Sequence, residues 1–172
     1  MTEKNKEFQK LLFRTAFCVM ACDGEIHQDE IDELKKMYKS TQYFLDVDFN
    51  EELKELITSL QQKGKLLISE IADSIKAQRL NTVQELLLLE IVLRMIYADG
   101  RVDENEKKMF HLLRSKLNLY DETIKERFGA IEFIFDKSYA VDIINTKNVA
   151  TTFEMPDMKE IISIDFSNIK KE

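Results

Sequence analysis

Two short acidic segments of the chain share the pattern Asp-Gly-x-(Ile/Val)-x-x-x-Glu. They read ACDGEIHQDE over residues 21–30 and YADGRVDENE over residues 97–106. Carboxylate oxygens are the ligands that hard cations such as Ca²⁺ or Mg²⁺ prefer. The candidate ligands of a divalent cation are therefore Asp23, Glu30, Asp99 and Glu106. Neither copy is an EF-hand loop, because acids at the second and fourth positions after the first Asp are not both present.

The glycines and glutamates of the two motifs also have a structural explanation. Gly24 and Gly100 lie where helices are predicted to end, and glycine is the usual residue for the left-handed conformation at such an end. Glu106 follows Asp103 by three residues, which is the spacing of an N-cap residue and its N3 carboxylate. In the first motif, Glu30 follows His27 by the same three residues. These residues can thus end one helix and begin the next without any ligand.

The two aspartates are harder to explain by helix geometry alone. Asp23 and Asp99 each lie at the C-terminal end of a predicted helix, where a negative charge costs about 0.3–1 kcal/mol. We therefore expect each carboxylate to have a partner. Backbone N–H groups near the start of the next helix are one choice. A cation held jointly with the glutamate of the same motif is the other, and the sequence leaves both open.

No other set of residues points to a specific chemistry. The chain has no glycine-rich phosphate loop and no Gly-x-Ser-x-Gly, His-Glu-x-x-His or Cys-x-x-Cys motif. Cys18 and Cys22 share one face of a predicted helix among apolar neighbours, which favours buried thiols. A zinc site would also need His27 and His111, and we expect both histidines at the surface. No catalytic residue and no organic cofactor are predicted.

The spacing of apolar residues predicts an all-helical body. Stripes at helical spacing cover residues 5–22, 28–40, 53–60, 67–75 and 104–117. Residues 86–96 are apolar almost all round, which is typical of the buried centre of a bundle. Asn81, or Thr82 paired with Glu85, is expected to begin that helix. Asp121 is expected to cap a last short helix.

The sequence changes character after Gly129. Four short segments rich in β-branched and aromatic residues follow, and they read AIEFIFD, YAVDIIN, VATTFEM and EIISIDF. This composition predicts short β-strands. We therefore expect an all-helical domain at residues 1–129 and a β-rich extension at residues 130–172. Such an extension is too small to fold alone, so it should pack on the helices, pair with itself or pair with another chain.

Composition narrows the partners and the location of the protein. The formal net charge is −7, and direct binding to nucleic acid is not expected because it needs a positive surface. The longest apolar run, LLLLEIVLRMIYA, contains Glu90 and Arg94 and is shorter than the roughly 20 residues that span a bilayer. The first ten residues lack the apolar run of a signal peptide. We expect a cytoplasmic protein that does not insert into a membrane.

The two motifs belong to a longer internal repeat. They lie 76 residues apart, and apolar positions agree at the same separation, as in the pairs Leu11 and Leu87, Ile26 and Val102, and Leu34 and Phe110. A duplication of this period predicts two half-domains rather than a solenoid. The predicted fold class is therefore mainly α: a compact multi-helix domain with an internal pseudo-twofold duplication, plus the short C-terminal β-rich extension.

With its paired Asp-Gly-x-(Ile/Val)-x-x-x-Glu motifs, each after an apolar helix, the chain resembles the TerB-like tellurite-resistance family over about residues 5–128. The resemblance implies a compact all-α domain with acidic residues gathered near the motifs. It also implies a role in metal binding and stress response within larger, partly membrane-associated assemblies. On the matching positions it assigns the acidic role to Asp23, Glu30, Asp99 and Glu106. Residues after Gly129 are not part of the resemblance.

Three functions fit these observations. The first, which we favour, is a non-enzymatic and cation-responsive component of a stress-response or cellular-defence assembly. It would bind a protein partner, including a membrane-associated one, or a second copy of itself through the C-terminal extension. The second is a divalent metal-binding protein of the tellurite-resistance type. The third is a metal-assisted hydrolase with an acidic site, for which the sequence shows no nucleophile–base pair.

Overall fold

The computed structural model describes residues 2–139, which form seven α-helices and one short 3₁₀ helix. The α-helices are α1 (Glu3–Ala21), α2 (Gln28–Ser40), α3 (Phe49–Lys63), α4 (Lys65–Ala77), α5 (Thr82–Ile96), α6 (Glu104–Ser115) and α7 (Asp121–Phe128). The 3₁₀ helix covers Glu132–Phe135. The prediction of an all-helical body is confirmed for this part of the chain.

Polar side chains begin several of the helices. Asp48 caps α3, and its carboxylate accepts a backbone N–H of the first turn at 3.1 Å. Of the two alternatives for the start of α5, Asn81 is the N-cap and forms a capping box with Gln84. The prediction for α7 is wrong by one residue, because Tyr120 is the N-cap and Asp121 lies in the first turn.

Helices α1 and α5 form the centre of the molecule. Helix α1 contacts α2, α3, α4, α5 and α6, and its contact with α5 is the most extensive. Leu12 and Phe13 of α1 and Leu88 and Ile91 of α5 are almost fully buried. The central position predicted for residues 86–96 is therefore confirmed. No helix within residues 2–139 is long and apolar enough to cross a bilayer.

The helix pairs α1–α2 and α5–α6 correspond to the two copies of the repeat. Their second helices begin at Gln28 and Glu104, which have the same separation as the motifs. Helix α1 packs against α6, and α5 packs in the same way against α2. Reciprocal contacts of this kind are what a twofold relation between two units produces. Helices α3, α4 and α7 complete the body around the two pairs.

The predicted β-rich extension is wrong where the structure describes it. The segment AIEFIFD, predicted as a strand, contains the 3₁₀ helix Glu132–Phe135, and residues 2–139 contain no β-strand. Ile134 is buried, and the ring of Phe133 packs edge-on against Phe110 of α6 with 5.5 Å between the centroids. The apolar side chains are thus covered by a helix instead of by a neighbouring strand. The other three predicted strands lie in residues 139–172 and, apart from Tyr139, outside the described residues.

Candidate functional site

Each acidic motif connects the two helices of one unit. The first motif lies between α1 and α2, and the second lies between α5 and α6. Gly24 and Gly100 have positive φ angles of 85° and 77°. This is the left-handed region that glycine adopts without steric cost. The backbone conformation predicted for both glycines is therefore present, and it turns the chain from one helix towards the next.

The two aspartates accept backbone hydrogen bonds within their own motifs. The N–H of Glu25 donates to Oδ1 of Asp23 at 3.0 Å, and the N–H of Arg101 donates to Oδ1 of Asp99 at 2.8 Å. These short turns hold the backbone between the helices. Of the two partners considered for the aspartates, backbone N–H groups are thus present in both motifs, although they come from the connectors and not from the helix starts.

The two glutamates are buried and cap the following helices. Glu30 is 5% exposed and Glu106 is 7% exposed. Oε2 of Glu106 accepts the N–H of Asp103 at 2.9 Å, and Oδ1 of Asp103 accepts the N–H of Glu106 at 2.8 Å, which completes a capping box. Oε2 of Glu30 accepts the N–H of His27 at 2.9 Å. Both glutamates therefore act at the helix start as the spacing predicts.

Burial raises the pKa of Glu30 to about 8, and neighbouring negative charges contribute to the shift. These charges belong to Asp23, Glu106 and Asp99, while the hydrogen bond from the N–H of His27 acts in the opposite direction. Two of the three charges come from the second motif. The two motifs, which are 76 residues apart in sequence, are therefore electrostatic neighbours in the folded chain.

Glu106 has the corresponding electrostatic environment. Burial raises its pKa to about 7, and the charges of Asp103, Asp99 and Asp23 contribute. The pKa of Asp23 is also raised, mainly by burial and further by Asp103. We call the five residues Asp23, Glu30, Asp99, Asp103 and Glu106 the acidic cluster. Asp103 was predicted only as a helix cap. Its membership follows from the fold, because its charge raises the pKa of Glu106 and that of Asp23 in the other motif.

The two halves of the cluster differ at one position. Where the second unit has Asp103, the first unit has His27. The Nε2 of His27 lies 3.4 Å from Oδ2 of Asp23 and 3.9 Å from Oε2 of Glu25, and its side chain is exposed as predicted. The first half thus carries a polar ring with two carboxylate neighbours, whereas the second half carries a third carboxylate. The cluster is not symmetric in charge.

The donor atoms of the cluster suit a hard cation, but they are not assembled around one point. Carboxylate oxygens are the ligands that Ca²⁺ and Mg²⁺ prefer. Within residues 2–139, no three His, Cys, Asp or Glu side chains are arranged to hold a metal ion. At least one oxygen each of Asp23, Glu30, Asp99 and Glu106 accepts a backbone N–H. Coordination of one ion by several of them would require side-chain rotation.

Both cysteines are buried thiols, as predicted. Burial raises the pKa of Cys18 to about 12. Burial and the neighbouring charge of Asp23 raise the pKa of Cys22 as well. A thiol is a metal ligand or nucleophile as its thiolate, and both raised values favour the protonated form. Both side chains belong to the hydrophobic core, Cys18 within α1 and Cys22 at its C-cap.

His111 is buried, which contradicts the prediction that it lies at the surface. Its Nε2 is 2.7 Å from the carbonyl oxygen of Phe133, and its ring stacks on Tyr139 at 4.7 Å between centroids. Burial lowers the pKa of its imidazole. The segment after Gly129 covers this face of α6. Because that segment was predicted as a strand, its cover of His111 was missed.

Comparison with known proteins identifies a family for most of the chain. The family model described as tellurite resistance protein TerB matches residues 12–127. The match begins within α1 and ends within α7, so it contains both acidic motifs and the whole acidic cluster. No curated protein and no solved structure matches the chain.

Proposed function

The chain belongs to the TerB tellurite-resistance family, and from this premise we propose that it is a non-enzymatic binding module whose acidic cluster responds to divalent cations. The observation that carries the proposal is the pair of buried glutamates. Glu30 and Glu106 have pKa values raised to about 8 and about 7 by burial and by the other acids of the cluster. Their ionised forms are therefore costly in the metal-free protein.

A divalent cation would lower the free-energy cost of these ionised glutamates more than protonation of one carboxylate would. Its two positive charges act on all five carboxylates at once, because these groups already influence one another. Binding would draw the two motifs towards a common centre. The motifs join α1 to α2 and α5 to α6, so a change at the cluster reaches four helices. This is how a cation could alter the surface that a partner recognises.

The non-enzymatic part of the proposal rests on the residues of the cluster. The cluster contains carboxylates and no hydroxyl, thiol or amine side chain. The two cysteine thiols lie buried, one within α1 and one at its C-cap. Two described cavities, of about 430 Å³ and about 180 Å³, are lined by residues of α1, α3 and α4 and not by the acidic motifs. The membership of a stress-response or defence assembly is proposed from the family alone.

Calorimetric titration tests cation binding directly. The metal-free protein would be titrated with Ca²⁺, Mg²⁺, Mn²⁺ and Zn²⁺ beside the double variant Asp23→Asn/Asp99→Asn. Asparagine keeps an oxygen that accepts the backbone N–H of each turn, so the variant removes charge and retains the turns. We expect one ion to bind with a Kd of about 1–10 µM. The variant should bind at least about tenfold more weakly.

A matched control separates the cluster from the total charge of the protein. The variant Asp46→Asn/Asp48→Asn also removes two negative charges, here at exposed positions outside the cluster. It retains the cap of α3, because an asparagine side chain can accept the same backbone N–H. It should bind the ion as the wild type does. Equal weakening of ion binding in both double variants would show that binding depends on the total charge of the protein and not on the cluster. Absence of binding by all four ions would leave the motifs as devices that end and begin helices.

A further inference from the structure

Another cavity lies where the segment after α7 crosses α6. The cavity has a volume of about 390 Å³, which is within the range of sites that accommodate small groups. Three aromatic rings and three charged side chains line it, and they belong to Tyr97, Phe133, Tyr139, Lys107, Glu132 and Asp136. We call it the aromatic cavity. None of its residues belongs to the acidic cluster.

The rings of the aromatic cavity are held in place by neighbouring side chains. Phe133 packs edge-on against Phe110, and Tyr139 stacks on His111 at 4.7 Å. The ring of Tyr97 is tilted by 55° to that of Phe133, with 6.5 Å between their centroids. Tyr97 is 45% exposed, so this aromatic wall is open to solvent. Rings that are already held in place lose little side-chain entropy when a ligand binds.

The charged residues leave the aromatic cavity negative. Nζ of Lys107 lies 3.1 Å from Oε1 of Glu104, which offsets its charge. Hydrogen bonds from Oγ and the backbone N–H of Ser138 lower the pKa of Asp136, so this carboxylate is ionised at neutral pH. Glu132 adds a second exposed carboxylate. The region therefore combines one exposed and two half-buried aromatic rings with an excess of negative charge.

We propose that the aromatic cavity receives an arginine side chain of a basic partner protein. A guanidinium group is planar and can stack on the exposed ring of Tyr97 while its N–H groups donate to Glu132 and Asp136. A lysine ammonium has no plane to stack, and a quaternary ammonium has no N–H to donate. This inference rests on the protein-binding part of the proposed function and names the chemistry of the partner.

Titration with single amino-acid derivatives tests the site in the full-length protein. Nα-acetyl-arginine amide would be added while amide and aromatic NMR signals are followed. Nα-acetyl-citrulline amide is the matched neutral probe, because citrulline keeps the shape of arginine without its charge. We expect arginine to shift signals of residues 97 and 131–139 with saturation. Citrulline should bind at least about tenfold more weakly, because it loses the cation–π and ionic contributions.

Two variants locate the site, and a third variant serves as a control. Tyr97→Leu removes the exposed ring, and Asp136→Asn removes a charge while keeping an acceptor for Ser138. Each should weaken arginine binding about fivefold. Tyr120→Leu replaces a 76% exposed tyrosine that does not line the cavity, and it should leave binding unchanged. Unchanged amide spectra away from the cavity would show that the variants are folded.

Three results would overturn the assignment. They are equal binding of citrulline, tighter binding of lysine or tetramethylammonium than of arginine, and unchanged arginine binding by Tyr97→Leu. The experiment is independent of the cation titration, since neither variant alters the acidic cluster. Arginine binding without metal binding would reject only the cation-responsive part of the proposed function. Metal binding without arginine binding would reject only the aromatic cavity as a recognition site.

Discussion

At the scale of single residues, Glu30 and Glu106 have two opposed effects on the fold. Each accepts a backbone N–H at the start of a helix at 2.9 Å, which stabilises that helix. Each is also buried among other acids, so its ionised form costs free energy. The capping bond survives protonation, because a neutral carboxyl retains an acceptor oxygen. The net contribution of both residues therefore depends on pH.

The variant Glu30→Gln should be more stable than the wild type at pH 8. The pKa of Glu30 is about 8 in the folded protein and 4.5 ordinarily, so between these values the folded state binds more protons than the unfolded state. The free energy of unfolding then decreases as the pH rises. Glutamine removes this loss and keeps the capping acceptor. We expect a melting temperature about 3–6 °C higher at pH 8.

The same pair of proteins at pH 5 provides the control for this effect. Folded Glu30 is protonated there, so the difference in melting temperature between variant and wild type should become much smaller. Calorimetric melts between pH 5 and pH 8 would measure the difference directly. A difference that stays constant over this range would show that the charge of Glu30 is not costly in the folded state.

At the scale of helices, the acidic motifs are connectors whose backbone shape matters as much as their charge. Asp99 turns the chain by accepting the N–H of Arg101, and Gly100 between them has φ 77°. Asp103 and Glu106 then start α6 with a complete capping box. In the first unit His27 replaces the capping aspartate. Side-chain hydrogen bonds therefore fix the connector of the second unit at more points than the connector of the first unit.

The variant Gly100→Ala should destabilise the protein by about 1 kcal/mol, because its φ disfavours a side chain with a Cβ. A Cβ at this position would have no atom within 4 Å, so no steric clash adds to the backbone strain. Gly100→Asn is the matched comparison, since asparagine tolerates the left-handed region better. In urea unfolding, the wild type should be the most stable of the three proteins, Gly100→Asn the next and Gly100→Ala the least stable. Equal stability of all three would refute the backbone explanation.

At the scale of the whole molecule, the core around α1 holds both repeat units together. Phe13 of α1 is fully buried, and its ring packs edge-on against Phe44 at 5.6 Å and Phe49 at 5.4 Å. These contacts join α1 to the segment that leads into α3. The same helix also packs on α5. Loss of packing in α1 therefore affects the entire domain and not one unit.

The variant Phe13→Ala should lower the free energy of unfolding by about 3–5 kcal/mol, because it leaves a cavity in a close-packed core. Should this variant fail to fold, Phe13→Leu provides a milder test with an expected cost of about 1 kcal/mol. Val83→Ala, at a side chain 75% exposed, should change the stability by less than about 0.5 kcal/mol. Denaturant unfolding measures all three. Similar costs at the core and surface positions would contradict the described packing.

Sequence patterns predicted correctly those parts of the structure that depend on residues close together in the chain. The helical stripes, the cap at Asn81 and the left-handed glycines depend on neighbours within a few residues. The central position of residues 86–96 was also predictable, because a helix that is apolar all round has no face for solvent. Four of the five residues of the acidic cluster were named from the repeat, whereas Asp103 was predicted only as a helix cap. The pKa values of the cluster were not predictable, because burial and charges from the other motif cause the shifts.

The segment after Gly129 shows the limit of local patterns. Its β-branched and aromatic residues predicted a strand, yet Glu132–Phe135 forms a 3₁₀ helix against α6. A strand needs a partner for its backbone groups, and strand propensity cannot say whether one is present. Apolar side chains can be buried equally well against a helix. The same error concealed the burial of His111 and the aromatic cavity.

By itself, the sequence determined the helical class, the internal repeat and the family of this protein. These properties follow from periodicity and from residues at constant separation, which need no knowledge of distant contacts. Only the tertiary structure decided that Glu30 and Glu106 are electrostatic neighbours and that the aromatic cavity exists. Both depend on the packing of segments far apart in the chain. Electrostatic energies and cavities arise from distances in space, and the fold alone establishes those distances.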